Sequence, residues 1–289
     1  MANRRVLVKR RKAVRNIRKI TRTMQLIATA RFQAAYNRAT ASKPYTEKLA
    51  ELVADLARAG DGLEHPLLET LNPAAPEAVL VLTSSRGLCG GYNANVMRTA
   101  QSFLSECQAA DRPPELQVFG KKGIGYFKFI RQPMARQSSE IGEAPRFDQV
   151  EPVGNELIAR FVAGELSAVH VAYMRFLSAG RQRPEVIQLL PLLPAATAEA
   201  KAKAVDYEFH PEPKALLDEL LPATARARLF QAFLDAAVSE QIARMVAMKA
   251  ASEASEDMIK TLTRQYNRAR QTQITMELLD IVGGANALA

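Results

Sequence analysis

Tryptophan is absent from this chain of 289 residues, and aromatic residues make up only 6% of it. Large rings supply much of the packing between the layers of all-β sandwiches. Their scarcity favours helix-rich packing built on alanine and aliphatic side chains. Two cysteines occur, Cys89 and Cys107, at a spacing that fits neither a zinc site nor a redox pair, which points to a reducing compartment. No apolar run approaches the roughly 20 residues needed to span a bilayer. The basic start lacks the apolar stretch of a secretory signal. These absences together predict a soluble intracellular protein. Hydrophobic residues at 48% are enough for a core and exclude a disordered chain.

Acidic residues are missing from the first 46 positions, which carry 13 Lys or Arg; Glu47 is the first acid. The remainder has 26 Lys or Arg against 30 Asp or Glu, so the whole excess of the +9 net charge lies at the start. Such a segment implies an acidic partner: nucleic acid, anionic lipid or an acidic protein surface. The leader "RRVLVKRRKAVRNIRKITRTM" (Arg4 to Met24) has no interleaved aromatics for base stacking, and its charge encircles a helix. Composition leaves the three partner classes open.

Glycine and proline are missing from two long stretches, Ala2 to Lys43 and Ala223 to Val282. Without breakers, and rich in Ala, Arg, Gln, Met and Leu, both are predicted to be long helices. Ile17, Ile20, Met24 and Ile27 step by three and four in the first. Met245, Met248, Ile259, Leu262, Tyr266 and Ala269 form a similar seam in the second, with Ser252 and Ser255 at its middle. That is the period of a weak coiled coil, and the two helices are expected to pair antiparallel.

The middle has another rhythm. "AVLVLT" (Ala78 to Thr83), "LQVFG" (Leu116 to Gly120), "AVHVAYMRF" (Ala168 to Phe176) and "EVIQLLPLLP" (Glu185 to Pro194) read as strands. Helical stretches at Asn93 to Ala109 and around "VGNELIARFVAG" intervene, predicting an inserted α/β domain with a mostly parallel sheet. The fold class is therefore α/β, a long antiparallel coiled coil of terminal helices with an inserted Rossmann-like domain. The expected boundaries are 1–60 for the first helix, 75–206 for the inserted domain and 212–289 for the helix pairing with the first.

Candidate chemistry is sparse. "SSRGLCGGYN" (Ser84 to Asn93) is a Gly-rich turn between strand and helix, where a phosphate could sit. It matches neither G-x-G-x-x-G nor the P-loop, and a tight structural turn is the better reading. Ser84, Ser85 and Cys89 lack a nucleophile elbow, and His65, His170 and His210 are scattered. No catalytic, cofactor-binding or metal residue is predicted. A Rossmann-like nucleotide enzyme and a basic helical nucleic-acid binder stand as alternatives to an interaction protein.

Three segments then converge. "KITRTMQLIATARF", "SSRGLCGGYN" and "ARMVAMKAASEAS…YNRARQTQITMELLDIVGGA" resemble, in order and separation, the γ subunit family of F-type ATP synthases; Ile274, Thr275, Glu277, Asp280, Gly284 and Ala285 carry the ending. The resemblance implies a non-catalytic central-stalk rotor without cofactors. Its partners would be three α and three β subunits, an ε subunit and a ring of c subunits. No nucleic acid would be bound, and membrane association would come through the c ring only, on the cytoplasmic face of a bacterial plasma (inner) membrane. Motif matching further implies rotor–stator contacts at Met24, Arg270, Gln271 and Thr275, a bearing tip at Leu278, Leu279, Ile281 and Val282, and c-ring-facing positions Tyr207 and His210. Departures from the family pattern include Ser85 in place of an acid, His210 in place of a glutamate, and "TMQLIA" in the neck.

Overall fold

The computed structural model describes residues 4–59, 65–109, 114–192 and 213–288. Tyr207 and His210 lie outside the described residues. The chain divides into two compact units: Met1–Thr29 with Arg244–Ala289, and Ala30–Ala243.

The first unit is made from parts of two helices, α1 (Arg4–Ala59) and α5 (Pro213–Leu288). Both run past the prolines that bound the breaker-free stretches, since Pro44 lies inside α1 and Pro222 inside α5. Here the two helices are antiparallel. Arg18 Nη1 stands 3.9 Å from Glu256, and the Arg11 guanidinium lies 4.9 Å from the Tyr266 ring centroid, so positions rise on one helix as they fall on the other. On α5 the covered face is the expected seam. Met248, Ser255 and Leu262 are buried, and Met245, Ser252, Ile259, Tyr266 and Ala269 are half-buried.

On α1 the structure corrects the expectation. Ile17, Ile20 and Ile27 are 51%, 58% and 48% exposed, and only Met24 of that stripe is half-buried. The covered positions are Leu7, Val14, Thr21 and Ala28, a strict seven-residue repeat, flanked by Arg11 and Gln25. Every one of these four positions is uncharged, whereas Ile17, Ile20 and Ile27 lie on the open side among the exposed basic residues. Polar members of the seam satisfy themselves locally: Thr21 donates to the Arg18 carbonyl at 3.1 Å and Ser255 to the Ala251 carbonyl at 2.7 Å.

The second unit is a three-layer α/β sandwich. Its sheet has the order β3-β2-β1-β4-β5, from β1 (Glu77–Leu82), β2 (Glu115–Phe119), β3 (Arg136–Ser138), β4 (Ala168–Ser178) and β5 (Arg181–Leu190). β1 pairs parallel with β2 and β4, β2 parallel with β3, and β5 closes the edge antiparallel to β4. All six residues of β1 are buried, as expected of a parallel strand covered on both faces. Ala78, Leu80 and Leu82 pack with α4 (Phe147–Val162), the start of α5 and the end of α1. Val79 and Val81 pack with α2 (Tyr92–Ala109) and α3 (Lys121–Phe129) on the opposite face. Farther along, Phe32, Ala35 and Ala39 of α1 meet Phe230, Leu234 and Val238 of α5 and Phe176 of β4.

β3 and α3 have no counterpart among the predicted elements. The strand is three residues long, at the sheet edge, and has no fully buried residue, so it leaves no periodic trace.

Candidate functional site

The Gly-rich turn sits at the carboxyl end of β1, the edge where open α/β sheets hold ligands. Its polar groups are spent on one another. Asn93, in the first turn of α2, accepts from the Ser84 amide at 3.0 Å, and its Nδ2 donates to the Ser84 hydroxyl oxygen at 2.8 Å and lies 3.2 Å from Cys89 Sγ. Ser84 Oγ also donates to the Arg86 carbonyl at 2.6 Å. Leu88 and Gly90 turn the chain through the left-handed region, at φ 64° and 56°. The turn is backed by the one leading into α3: a Cβ on Gly120, whose φ is 98°, would stand 2.1 Å from the Thr83 carbonyl oxygen. The Asn93 side chain takes up the donors and acceptors that a phosphate would need.

Ser84 and Cys89 are both buried, and among the described residues neither has an imidazole as a hydrogen-bond partner. His65 is elsewhere; its Nδ1 accepts from the Leu67 amide at 3.0 Å, and its Nε2 lies 3.3 Å from Asp218. Burial pushes the His65 pKa down, and Asp218 opposes that shift. His170 pairs with Glu77 at 3.1 Å at the other edge of the sheet. Ser85, where the family pattern has an acid, accepts from the Lys121 amide at 3.4 Å. Next to it Arg86 faces Glu143 at 3.3 Å, and Glu143 also receives Arg31 of α1, so the ion pair at this turn comes from a different acid.

The surface chemistry is concentrated in the first unit. Its sequence holds sixteen Lys or Arg against five acids, whereas the second unit has a small acidic excess. Arg4, Arg5, Lys9, Arg10, Lys12, Arg15, Arg18, Lys19 and Arg22 are all exposed and surround α1 on its open sides, among the exposed isoleucines. From Gln273 to Gly283 every side chain of α5 is exposed, because the helix continues past the level where the described part of α1 begins. Arg270, Gln271 and Thr275 are exposed just where the cover ends, and Thr275 donates to the Gln271 carbonyl at 3.0 Å. Leu278, Leu279, Ile281 and Val282 are exposed at 59%, 59%, 72% and 49%. These four large apolar residues are close together on one uncovered stretch of helix. The structure thus brings Arg270, Gln271, Thr275 and the four apolar residues onto one uncovered segment and sets Met24 on the half-covered flank of α1.

A helix pair at the chain ends, joined to a three-layer α/β unit, is the architecture of ATP synthase central stalks. A chain in the cryo-EM structure of Euglena gracilis mitochondrial ATP synthase (OSCP/F1/c-ring, rotational state 3) matches with a TM-score of 0.67 at 18% identity, over 99% of this chain and 94% of that one. A chain of the Tetrahymena thermophila mitochondrial ATP synthase central stalk/c-ring structure matches with a TM-score of 0.57 at 19% identity, over 81% of this chain and 99% of that one. The family model described as ATP synthase matches residues 3–288. The ATP synthase gamma chain of Rhodopirellula baltica is 43% identical over 100% of this chain and 99% of its own length, and that of Dehalococcoides mccartyi (strain CBDB1) is 40% identical over 100% of both. The chain belongs to the ATP synthase gamma chain family.

Proposed function

We propose that this chain is the rotating shaft of a proton-translocating F-type ATP synthase and carries no active site of its own. It would turn inside a ring of three α and three β subunits, joined through its α/β unit (the expected 75–206 domain) to a c-subunit ring, with an ε subunit alongside. The observation that carries the reading is the first unit: an antiparallel helix pair with charge on every open side, ending in a single uncovered helix.

A rotor must touch its housing at all angles without a deep minimum at any one. Charges spread around a shaft attract an acidic sleeve with little preference for angle, and exposed ion pairs are weak individually and screened by salt. Arg270, Gln271 and Thr275 would make and release hydrogen bonds with β-subunit loops, and Met24 would lie by the β lever. Leu278, Leu279, Ile281 and Val282 would turn in an apolar collar. Forcing each catalytic site through a different conformation in turn is coupling between sites, transmitted by the shaft's asymmetry. No helix among the described residues is long and apolar enough to cross a membrane, consistent with attachment through a c ring on the cytoplasmic face of a bacterial plasma membrane.

Reconstitution tests this directly. The purified chain alone is expected to hydrolyse no ATP, and to restore proton-coupled ATP turnover when added to α and β subunits and membranes holding the c ring. ATP hydrolysis by the chain alone, or no stable complex with α and β, would overturn it.

A further inference from the structure

Two phenyl rings two residues apart on α3 face opposite ways. Phe127 is wholly buried, whereas Phe129 is 84% exposed, more than any other large apolar side chain among the described residues. Lys128, Phe129, Ile130 and Arg131 are consecutive and all exposed, so the end of α3 is a projecting corner with two apolar side chains between two cations. We infer that this corner is a membrane-surface contact: the Phe129 ring enters the headgroup layer of an anionic bilayer, and Lys128 and Arg131 meet its phosphates.

Three observations carry this. The first is charge. From Leu116 to Ser139 there are five Lys or Arg and no acid, in a unit whose sequence has an acidic excess. Lys121, Lys122, Lys128 and Arg131 are exposed, and none of the four is ion-paired among the described residues. Helical spacing puts the three lysines on one face with Phe129, around Gly125, which has no side chain to stand between them. Apolar burial added to charge attraction is what holds proteins on anionic lipid.

The second is that the corner is rigidly built. The Gln132 amide donates to the Phe127 carbonyl at 2.9 Å and the Arg131 amide to the Lys128 carbonyl at 3.1 Å, so the helix ends by reversing through one left-handed residue. That residue is Arg131, at φ 57°. Glycine takes this conformation freely and arginine does not, yet the position presents a cation.

The third is shape. A convex corner with one exposed ring lacks the row of aromatics on which the bases of single strands stack. A protein partner would need a preformed cup for Phe129, whereas fluid lipid closes around a projecting ring. This departs from the expectation of membrane association through a c ring only. It is independent of the rotor reading, because it involves the second unit and a bilayer alone.

Tryptophan is absent from the chain, so Phe129→Trp places a single indole at the corner. In the full chain its emission is expected to shift to shorter wavelength with vesicles of phosphatidylglycerol and phosphatidylcholine in equal parts. Lipids brominated on their acyl chains should quench it, and phosphatidylcholine alone should leave it unchanged. Tyr45→Trp, at an exposed site on α1, should show no shift, which separates insertion of the corner from adsorption through the basic start of α1. In the Phe129→Trp background, Lys128→Gln and Arg131→Gly should each weaken the vesicle affinity read at this indole by about fivefold. Arg131→Gly suits the left-handed position, so stability should be unchanged or raised, which distinguishes a lipid contact from a structural role. No shift in Phe129→Trp, an equal shift in Tyr45→Trp or with phosphatidylcholine alone, or unchanged affinity in Arg131→Gly overturns the proposal. A shift given by poly-L-glutamate and not by the vesicles would assign the corner to an acidic protein and overturn it as well.

Discussion

Gly120 meets Thr83 where two strand ends turn side by side: a Cβ on the glycine would fall 2.1 Å from the Thr83 carbonyl oxygen, at a φ of 98°. Thr83 in turn donates its hydroxyl to the Phe119 carbonyl at 2.8 Å and accepts from the Gly123 amide at 2.9 Å, so neither side can retreat. Gly120→Ala is expected to cost about 3 kcal/mol or more in urea unfolding, through strain and displacement together. Gly125, in the same segment, has nothing within 4 Å of such a Cβ. Gly125→Ala should be neutral or stabilising by up to about 1 kcal/mol, since it sits inside a helix. Equal losses in the two variants would show that the turn is not close-packed.

Asp235 of α5 gives a pH dependence of the less common sign. Burial pushes its carboxyl up from 3.8 to about 6, against hydrogen bonds from Gln231 and the Phe176 amide and the charges of Arg175 and Lys43. The folded state therefore holds this proton more tightly than the unfolded one. Its contribution favours folding most below about pH 4 and is lost as pH rises through about 6. Asp235→Asn should gain on the order of 2 kcal/mol at pH 7 and flatten the stability curve between pH 4 and 6. A curve parallel to the parent's across that window would refute the assignment.

Arg160 and Glu115 show the ordinary sign. The guanidinium grips both carboxylate oxygens, at 2.9 and 2.7 Å, joining α4 to the start of β2. The hydrogen bond from Arg160 lowers the Glu115 pKa, so this contribution is present at neutral pH and is lost as pH falls below the usual glutamate range. Glu115→Gln is expected to cost about 1 kcal/mol at pH 7 and little at pH 3, measured by denaturant unfolding at the two pH values.

For the rotor reading, Arg270→Ala and Gln271→Leu should lower ATP turnover in the reconstituted complex while leaving the isolated chain's helicity intact. Both side chains are exposed, and no hydrogen bond within the chain depends on either side chain among the described residues. Met24→Lys should make coupling less efficient by adding a charge beside an acidic lever. Parent-like turnover in the first pair, or an unchanged number of protons per ATP in the third, would remove these residues from the coupling surface.

Much of the architecture was legible, for identifiable reasons. β1, β2 and the first half of β4 announced themselves because parallel strands covered on both faces demand apolar runs, as in Ala78–Leu82. β5, antiparallel at the edge, is buried only at its last two residues, Leu189 and Leu190. The α5 seam was legible because Met245 to Ala269 keeps one spacing throughout. α1 misled because Ile17, Ile20 and Ile27 also step by three and four, although they face outward. The better signal was freedom from charge: Leu7, Val14, Thr21, Ala28, Ala35, Ser42 and Leu49 repeat every seven residues without one charged member. In a segment so basic, that row marks the face that cannot hold a lysine. The pairing of Glu77 with His170 had no local sequence sign, because β1 and β4 bring the two together from positions far apart in the chain.

The last turns of α5 have one further consequence. From Gln273 to Gly283 every side chain is exposed, and the Gln273–Glu277 hydrogen bond at 2.7 Å is within the helix itself, so this stretch relies on propagation from the paired turns behind it. A helical run of fewer than about 12–15 residues is marginal in water by itself. Its amide protons should therefore exchange fastest of all those in α5 in the free chain, and slow sharply once a collar encloses it. The end of the chain would then report assembly: the same residues that supply contact area also supply the ordering cost that sets how firmly the collar closes.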